Sequence, residues 1–286
     1  MSVLVVGKNG FLAKKLAPCL NPRSRVLYTS SREVSHDTLS LDLLKPKEFD
    51  YGAIDSSTRV VLLAAISSPD LCANKYDLAY AVNVSGTAYF IEQCLARKAK
   101  VLFFSSDTVF GECAVQVDET SDVNPIGPYA NMKRVVESRF AGEIDFKTLR
   151  LSYVFSREDK FTSYLHKCAL SEVEAEIFRP ILRRVVYLND VLGAIKALCE
   201  SWSVVDAQVI NACGPDLLSR EDIATMYQEE VNAALRLKIS EPTEAFFAAR
   251  PKCINMGSGV FSRVIGYEPT AIRQAMRREF PQNRGR

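Results

Sequence analysis

Tyr129 and Lys133 are the pair of side chains in this sequence whose types and spacing best suit proton transfer. They follow a loop with two prolines and a glycine, and on a helix that begins there they share one face. A phenol has an ordinary pKa of about 10 and is a poor acid near neutral pH. A neighbouring ammonium favours the phenolate, and lowering the pKa by about 3 units takes about 4 kcal/mol. The spacing therefore predicts a tyrosine proton donor tuned by a lysine, whereas the structural alternative is a packed tyrosine and a solvated lysine.

A loop with two spaced glycines follows the first apolar run of the chain. Residues 2–6 are typical of a buried strand, and a helical pattern over 11–20 comes after the loop. Gly7 and Gly10 let the backbone approach a pyrophosphate, and the helix start supplies N–H donors. Because the spacing differs from G-x-G-x-x-G and Ala13 replaces the last glycine, a plain structural turn is the alternative. The predicted cofactor contacts in this loop are Gly7, Asn9, Gly10, Phe11 and Leu12.

The end of the second predicted strand, at 25–28, indicates which dinucleotide binds. An NAD site places a carboxylate there to hold the ribose hydroxyls. Ser30, Ser31 and Arg32 stand there instead, and hydroxyls beside a guanidinium suit a 2′-phosphate. Glu33 follows and weakens this assignment, but on balance NADP(H) is favoured over NAD(H). Further cofactor contacts are predicted at the ends of the third and fourth strands, at Asp42, Leu43, Ala64 and Ala65.

Another strand end carries hydroxyl groups. The strand predicted at 100–105 leads into Ser105 and Ser106, at the carboxyl edge where ligands bind in open α/β sheets. A serine hydroxyl at this edge can hydrogen-bond a substrate carbonyl. The alternative is a serine-rich strand end that contacts no ligand.

The alternation of strands and helices predicts the fold. The predicted strands lie at 2–6, 25–28, 39–43, 59–66, 100–105, 146–153, 185–188 and 208–211, and long helical segments lie at 69–96 and 156–179. This rhythm implies an α/β fold, a Rossmann-type doubly wound parallel sheet with a smaller α/β substrate-binding lobe. We expect an NADP-binding domain from residues 1–155 plus about 181–215, and the lobe from 156–180 and 216–286.

The composition is that of an ordinary globular protein, with 48% apolar and 24% charged residues in a chain of 286. The net charge is only +2 and no basic tract interleaves with aromatic residues, so no nucleic-acid partner is predicted. The longest apolar run, 60–66, is too short to span a bilayer, and the strand at the start leaves no room for a signal peptide. Eight cysteines without metal spacing predict buried free thiols, no metal and a cytoplasmic location.

Several motifs come in a fixed order along the chain. They are Gly7-x-x-Gly10, Ala64-Ala65, Asn83-Val84-Ser85-Gly86-Thr87, Ser105-Ser106-Asp107-Thr108-Val109-Phe110-Gly111 and Tyr129-x-x-x-Lys133. In this order they resemble the extended short-chain dehydrogenase/reductases, over nearly the whole chain. Later segments are similar to the nucleotide-sugar branch of that family, in particular to the dTDP-4-dehydrorhamnose reductases. Those segments lie at 149–152, 186–191, 213–220 and 249–251.

The resemblance implies roles for single residues. In that family the residue matching Ser106 binds the sugar carbonyl, and the one matching Tyr129 transfers the proton. The lysine matching Lys133 holds the nicotinamide ribose and lowers the tyrosine pKa. The family's 4,6-dehydratases carry Asp-Glu after the Ser or Thr, so Asp107-Thr108 argues against a dehydratase. The predicted substrate contacts are Ser106, Asp107, Thr108, Ser152, Arg179, Arg183 and Arg184. The three arginines are included because a guanidinium group suits a diphosphate.

These observations lead to one function and two alternatives. The leading hypothesis is an NADPH-dependent reductase of a nucleotide-activated 4-keto-6-deoxysugar, a nucleotide-sugar substrate reduced with Tyr129 as proton donor. The first alternative is a nucleotide-sugar epimerase that retains NAD and uses the same residues. The second is a non-catalytic NADP-binding protein on the same scaffold, because a fold alone does not define a function. A homodimer is possible in each case.

Overall fold

A parallel sheet of seven strands forms the centre of the protein in a computed structural model that describes residues 1–281. In chain order the strands are β1 (Ser2–Val6), β2 (Arg25–Ser30), β3 (Thr38–Ser40), β4 (Thr58–Leu62), β5 (Lys100–Ser106), β6 (Cys113–Val117), β7 (Phe146–Leu151), β8 (Val154–Phe155), β9 (Glu174–Phe178), β10 (Leu182–Arg184), β11 (Val186–Tyr187), β12 (Val209–Ala212), β13 (Leu217–Ser219), β14 (Arg236–Ser240) and β15 (Cys253–Met256). The helices are α1 (Phe11–Leu16), α2 (Pro69–Asn74), α3 (Tyr76–Tyr80), α4 (Thr87–Ala96), α5 (Pro128–Arg139), α6 (Lys160–Leu170), α7 (Leu188–Glu200), α8 (Arg220–Glu230), α9 (Glu244–Phe247), α10 (Phe261–Ile265) and α11 (Ile272–Glu279).

The strand order of the central sheet is β12-β7-β5-β4-β1-β2-β3, with every pairing parallel. Its central strands β1, β4 and β5 contain apolar runs at 3–6, 60–62 and 101–104, as burial on both faces requires. Along β1, Val3 and Val5 pack into the core under α6 and α7, whereas Leu4 and Val6 pack into the core under α4 and α5. The predicted Rossmann-type doubly wound sheet is thus confirmed. The order reverses between β1 and β4, the place where such sheets bind their ligands.

Smaller sheets lie beside the central one. The larger of them has the order β13-β10-β15-β6, and two-stranded parallel sheets join β11 to β8 and β14 to β9. The sheet of four takes β6 from residues 113–117 and β10 from residues 182–184, which the sequence analysis assigned to the cofactor domain. Its other two strands come from the segment after residue 216.

Several predicted elements have other bounds in the structure, among them the strand expected over 59–66, which ends at Leu62. The helix expected over 156–179 ends at Leu170, and residues 174–178 form β9, whose residues are alternately exposed and buried. That two-residue period belongs to a half-buried strand. The third strand is Thr38–Ser40 and not 39–43, because the chain turns after Leu41. The helix expected over 69–96 is divided into α2, α3, a π-helical turn at Ala81–Gly86, and α4.

Candidate active site

A cavity of about 730 Å³ lies across the carboxyl ends of the central strands, at the reversal of strand order. Gly7 has a φ of +100°, and a Cβ there would approach the Ala64 backbone to 3.2 Å. The loop after β1 therefore needs glycine at this position and leaves its backbone open to a ligand. All the predicted cofactor residues line this cavity: Gly7, Asn9, Gly10, Phe11, Leu12, Ser30, Ser31, Arg32, Asp42, Leu43, Ala64, Ala65, Tyr129 and Lys133.

The end of β2 supplies the charge at one side of this cavity. The Ser30 hydroxyl accepts hydrogen bonds from the backbone N–H groups of Arg32 and Glu33, both 3.1 Å long, and so shapes the turn. The exposed Arg32 lines the cavity. Lys8, which the sequence analysis did not select, also lines it and donates to Thr38 Oγ1 over 2.7 Å. Its position between the two motif glycines was the signal that could have identified it.

A second cavity of about 500 Å³ adjoins the first, and Tyr129 lines both. Tyr129 lies in the first turn of α5, which begins at Pro128 after Gly127. Gly127 has a φ of +83°, and a Cβ there would meet the Ala249 Cβ at 2.8 Å, so this turn requires glycine. The tight turn places the phenol where the two cavities meet.

Lys133 lies one helical turn further on and is buried. Its ammonium donates a 2.7 Å hydrogen bond to the carbonyl of Phe104 and lies 4.7 Å from the centre of the Phe103 ring. Burial lowers the pKa of Lys133 to about 8, against the opposing attraction of Glu137. The lysine is thus held in place by β5 and titrates close to physiological pH.

The pKa of Tyr129 is raised by burial and, to a smaller extent, by the charge of Asp107. The sequence analysis predicted a lowered pKa from the spacing to Lys133. That prediction was wrong for the protein chain itself, because desolvation of the phenol outweighs any attraction from the lysine. Tyr129 therefore keeps its proton across the physiological range.

Lys133 is expected to destabilise the fold below about pH 8. Its pKa falls from the ordinary 10.5 to about 8 on folding. The unfolded chain binds more protons between these values, so the free energy of unfolding rises with pH across this window. At pH 7, the free energy of unfolding of Lys133→Met should equal that of the wild type or exceed it, by up to about 3 kcal/mol. Thermal melts from pH 7 to 10.5 should show the difference shrinking, and a constant difference would contradict the assignment.

Ser106 and Asp107 form a compact polar cluster at the end of β5. The Ser106 hydroxyl accepts from the Thr108 backbone N–H at 3.2 Å and from Thr108 Oγ1 at 3.0 Å, and donates to Asp107 Oδ1 at 3.2 Å. Asp107 is buried, accepts from Ser152 Oγ at 3.1 Å, and lies 3.6 Å from Arg183 Nε. Burial raises the Asp107 pKa despite the arginine. The second cavity is lined by all five of these predicted substrate residues.

Arg179 and Arg184, also predicted to bind substrate, line neither cavity in the described part of the chain. Arg179 forms a bidentate ion pair with Glu221. Arg184 donates to Asn255 Oδ1 and to Gln116 Oε1, both at 2.8 Å. Neighbouring residues of a strand point to opposite faces, so Arg183 and Arg184 of β10 cannot both face the cavity.

Two other arginines, Arg220 and Arg250, take their place in the second cavity. Arg250 lies 4.5 Å from the centre of the Phe246 ring and forms a 2.6 Å ion pair with Asp70 at the start of α2. Arg220 lies 4.8 Å from the Phe161 ring. Both arginines belong to segments that the sequence analysis had matched to the nucleotide-sugar branch, at 213–220 and 249–251, and that match could have identified them.

Two negative findings concern residues 1–281. They contain no group of three or more His, Cys, Asp or Glu side chains that could hold a metal ion. None of their helices is both long enough and apolar enough to cross a membrane.

Comparisons with known proteins agree with this architecture. A family model described as "RmlD substrate binding domain" matches residues 1–283. The chain is 24% identical to a dTDP-4-dehydrorhamnose reductase of Mycolicibacterium smegmatis over 181 residues, 61% of this chain and 54% of that protein. The alignment thus spans about half the length of this curated relative.

Solved structures show the same fold. A hypothetical dTDP-4-dehydrorhamnose reductase from Sulfolobus tokodaii has a TM-score of 0.81 at 21% identity, covering 93% of this chain and 96% of that one. A dTDP-4-dehydrorhamnose reductase from Clostridium acetobutylicum has a TM-score of 0.81 at 19% identity, covering 98% of both chains. A UDP-glucuronic acid 4-epimerase from Bacillus cereus, solved with UDP-glucuronic acid and NAD, has a TM-score of 0.81 at 21% identity, covering 98% of both.

Proposed function

The chain belongs to the RmlD substrate binding domain family, and from this premise we propose that it is an NADPH-dependent reductase of a nucleotide-activated 4-keto-6-deoxysugar. The observation that carries the proposal is the position of Tyr129, which lines the dinucleotide cavity and the adjoining cavity together. A proton donor for a carbonyl reduction must lie between the bound cofactor and the sugar. Tyr129 is the titratable side chain among the described residues that meets this condition.

The dinucleotide fits the first cavity. The open backbone at Gly7 suits the pyrophosphate, and Lys133 lies where it can hold the nicotinamide ribose. When bound, NADPH supplies a hydride to the carbonyl carbon of the sugar. Tyr129 then gives its proton to the resulting alkoxide oxygen, and the charge on Lys133 favours the phenolate left behind. Ser106 polarises the carbonyl from the second cavity.

The side chains at the polar end of the second cavity suit the diphosphate group of a nucleotide sugar. Arg220 and Arg250 carry two positive charges, and guanidinium groups bind phosphate oxygens in a bidentate manner. The Phe246 ring, over which the Arg250 guanidinium lies, also lines this cavity. A charged diphosphate therefore matches this end, while the Ser106 end receives the sugar.

Arg32 is expected to set the cofactor preference. Arg32→Ala removes a charge-assisted contact to the 2′-phosphate of about 1.5–3 kcal/mol, so the affinity for NADPH should fall about 10- to 100-fold while that for NADH stays nearly constant. Fluorescence titration of both dinucleotides measures this. Arg25→Ala is the matched control, since the exposed Arg25 lies at the other end of the same strand. If Arg32→Ala binds NADPH as tightly as the wild type does, and the affinity for NADH is also the same in both proteins, the NADP assignment fails.

Arg220→Ala and Arg250→Ala should each raise KM for the nucleotide sugar about tenfold or more, because a charge-assisted contact to the diphosphate is lost. The affinity for NADPH should not change. Arg179→Ala serves as the control, since Arg179 pairs with Glu221 outside both cavities. Steady-state kinetics with the sugar varied at saturating NADPH give the comparison. If Arg179→Ala raises KM as much as the other two, the diphosphate assignment fails.

The proposed reaction is tested by NADPH oxidation against a panel of nucleotide-linked 4-keto sugars. Stoichiometric consumption of exchangeable NADPH by one of them is the expected result. A tightly bound NAD(H) that survives purification, with interconversion of sugar epimers and no net oxidation, would identify an epimerase instead. Dinucleotide binding with no turnover of any nucleotide sugar would identify the non-catalytic alternative.

A further inference from the structure

The two cavities share few lining residues, and one of these has an unused hydroxyl group. Among residues 1–281, Ser67, Ser105, Tyr129 and Leu151 line both cavities. Ser67 is exposed, so water can satisfy its hydroxyl. Ser105 is only 4% exposed, and its Oγ has no hydrogen-bond partner among the described residues. A buried hydroxyl without a partner is rare in native proteins and calls for an explanation.

The position of Ser105 on β5 brings it to the reacting end of the cofactor cavity. Side chains two residues apart on a strand share a face, so Ser105 lies on the face of Phe103, whose ring contacts Lys133. The Lys133 ammonium binds the carbonyl of Phe104, the residue directly before Ser105. Ser105 therefore stands beside the Tyr129–Lys133 pair.

Ser106 differs from its neighbour because its hydroxyl is fully engaged. It accepts two hydrogen bonds from Thr108 and donates to Asp107. To donate to a ligand, Ser106 must first release Asp107. Among the described residues no acceptor holds the Ser105 hydroxyl, so its hydrogen is free for a ligand oxygen that reaches it at the junction of the cavities.

We propose that Ser105 is a further ligand-binding residue, whose hydroxyl donates a hydrogen bond to an oxygen acceptor where cofactor and sugar meet. The acceptor is either the carbonyl oxygen of the sugar or an oxygen at the nicotinamide end of the dinucleotide. Both present the same chemistry, a neutral oxygen with a free lone pair. This inference rests on the proposed reductase function and adds a second hydroxyl donor beside Ser106.

Ser105→Ala distinguishes a ligand-binding role from a structural one. Since Ser105 Oγ has no hydrogen-bond partner within residues 1–281, the variant should melt at the same temperature as the wild type or higher when no ligand is added. Ser156→Ala is the matched control. Ser156 is equally buried, but its hydroxyl accepts from the backbone N–H groups of Glu158 and Asp159 at 3.1 Å, and it lines neither cavity. That control should melt lower and keep the wild-type KM values.

The same variant identifies the ligand. Fluorescence titration with NADPH alone should give a Kd raised about fivefold or more if Ser105 binds the nicotinamide end. An unchanged Kd, with kcat for the nucleotide sugar lowered about 10- to 100-fold, would assign the sugar carbonyl. Either result supports the proposal when the melting temperature does not fall.

Two results would overturn it. In the first, the wild type is active and Ser105→Ala has the same Kd, KM and kcat. The proposed reductase function then stands, but the ligand-binding role of Ser105 does not. In the second, the melting temperature of Ser105→Ala falls as that of Ser156→Ala does, which marks a structural hydroxyl. A wild type that binds no dinucleotide would instead overturn the proposed function, and this inference with it.

Discussion

Tyr129→Phe is expected to lower turnover of the nucleotide sugar by about 10²–10⁴-fold, the usual loss when positioned proton transfer is removed. The substitution deletes one oxygen atom. Tyr129 Oη has no hydrogen bond that contributes to the fold among the described contacts, so folding and NADPH binding should be nearly intact. Turnover in single-turnover and steady-state assays with the best sugar of the panel measures the loss.

Tyr89→Phe is the matched control for this loss. Tyr89 is also partly buried, packs against Tyr51 and lines neither cavity, so its kinetics should equal those of the wild type. Lys133→Met should reduce turnover at least as much as Tyr129→Phe, since it removes both the charge that favours the phenolate and a ribose contact. A Tyr129→Phe variant with near wild-type turnover on the true substrate would falsify the mechanism.

The pH profile gives an independent check of the same pair. Lys133 must be charged to favour the phenolate, and its pKa is about 8 in the folded chain. The raised pKa of Tyr129 keeps the phenol protonated over this range. Hence kcat/KM for NADPH, which reports the enzyme before the cofactor binds, should fall as pH rises through about 8. In Lys133→Met this fall should be absent, because no lysine remains to titrate there.

The sequence predicted the central sheet well because burial on both faces leaves a simple signal. Strands β1 and β5 contain continuous apolar runs at 3–6 and 101–104, each followed by glycine or serine residues. The residues that line the first cavity could be grouped equally well, since its walls are the carboxyl ends of these strands and the loops that follow them. Short segments at fixed places along the chain determine this whole cavity.

The second cavity was harder to predict because distant segments meet there. Whether Arg183 or Arg184 faces the cavity depends on the phase of a strand of only three residues. Arg250 reaches the cavity from a segment 180 residues away from its ion-pair partner Asp70. No local pattern reports such a contact. The similarity of residues 249–251 to the nucleotide-sugar branch was the sequence signal that could have identified Arg250.

The sign of the Tyr129 pKa shift could not be obtained from spacing. Four residues on a helix fix the proximity of Lys133, but not where its ammonium points or how much water reaches the phenol. In the structure the ammonium points to the Phe104 carbonyl, and burial dominates both pKa values in opposite directions. Desolvation is a property of the assembled fold, so a sequence pattern does not give it.

A buried ion pair behind the candidate active site leads to the prediction with the largest expected effect on stability. Arg150 on β7 donates to Glu137 on α5 through Nη2 at 2.8 Å and Nε at 3.1 Å. The side chains are 3% and 2% exposed. Arg150 Nη1 already has no hydrogen-bond partner in the described structure, although the guanidinium lies 4.9 Å from the centre of the Phe110 ring. Glu137→Gln would therefore leave a buried guanidinium charge uncompensated.

Breaking such a pair by removing one partner typically costs about 3–5 kcal/mol, so Glu137→Gln should lower the free energy of unfolding by that order. Urea unfolding followed by circular dichroism measures it. The control is Glu92→Gln, which breaks the exposed pair with Arg139 and should cost less than about 1 kcal/mol. Equal losses in the two variants would contradict the assignment.

The double variant Glu137→Gln/Arg150→Met separates the pair from the site that it supports. Removing both charges should restore much of the stability, since a buried ion pair and an apolar replacement are often nearly equivalent. Turnover should not recover in parallel, because the carboxylate of Glu137 also raises the pKa of Lys133 one helical turn away. The alkaline fall of kcat/KM should thus begin at lower pH in the single and double variants alike. Recovery of both stability and the wild-type pH profile would show that Glu137 acts on the fold alone.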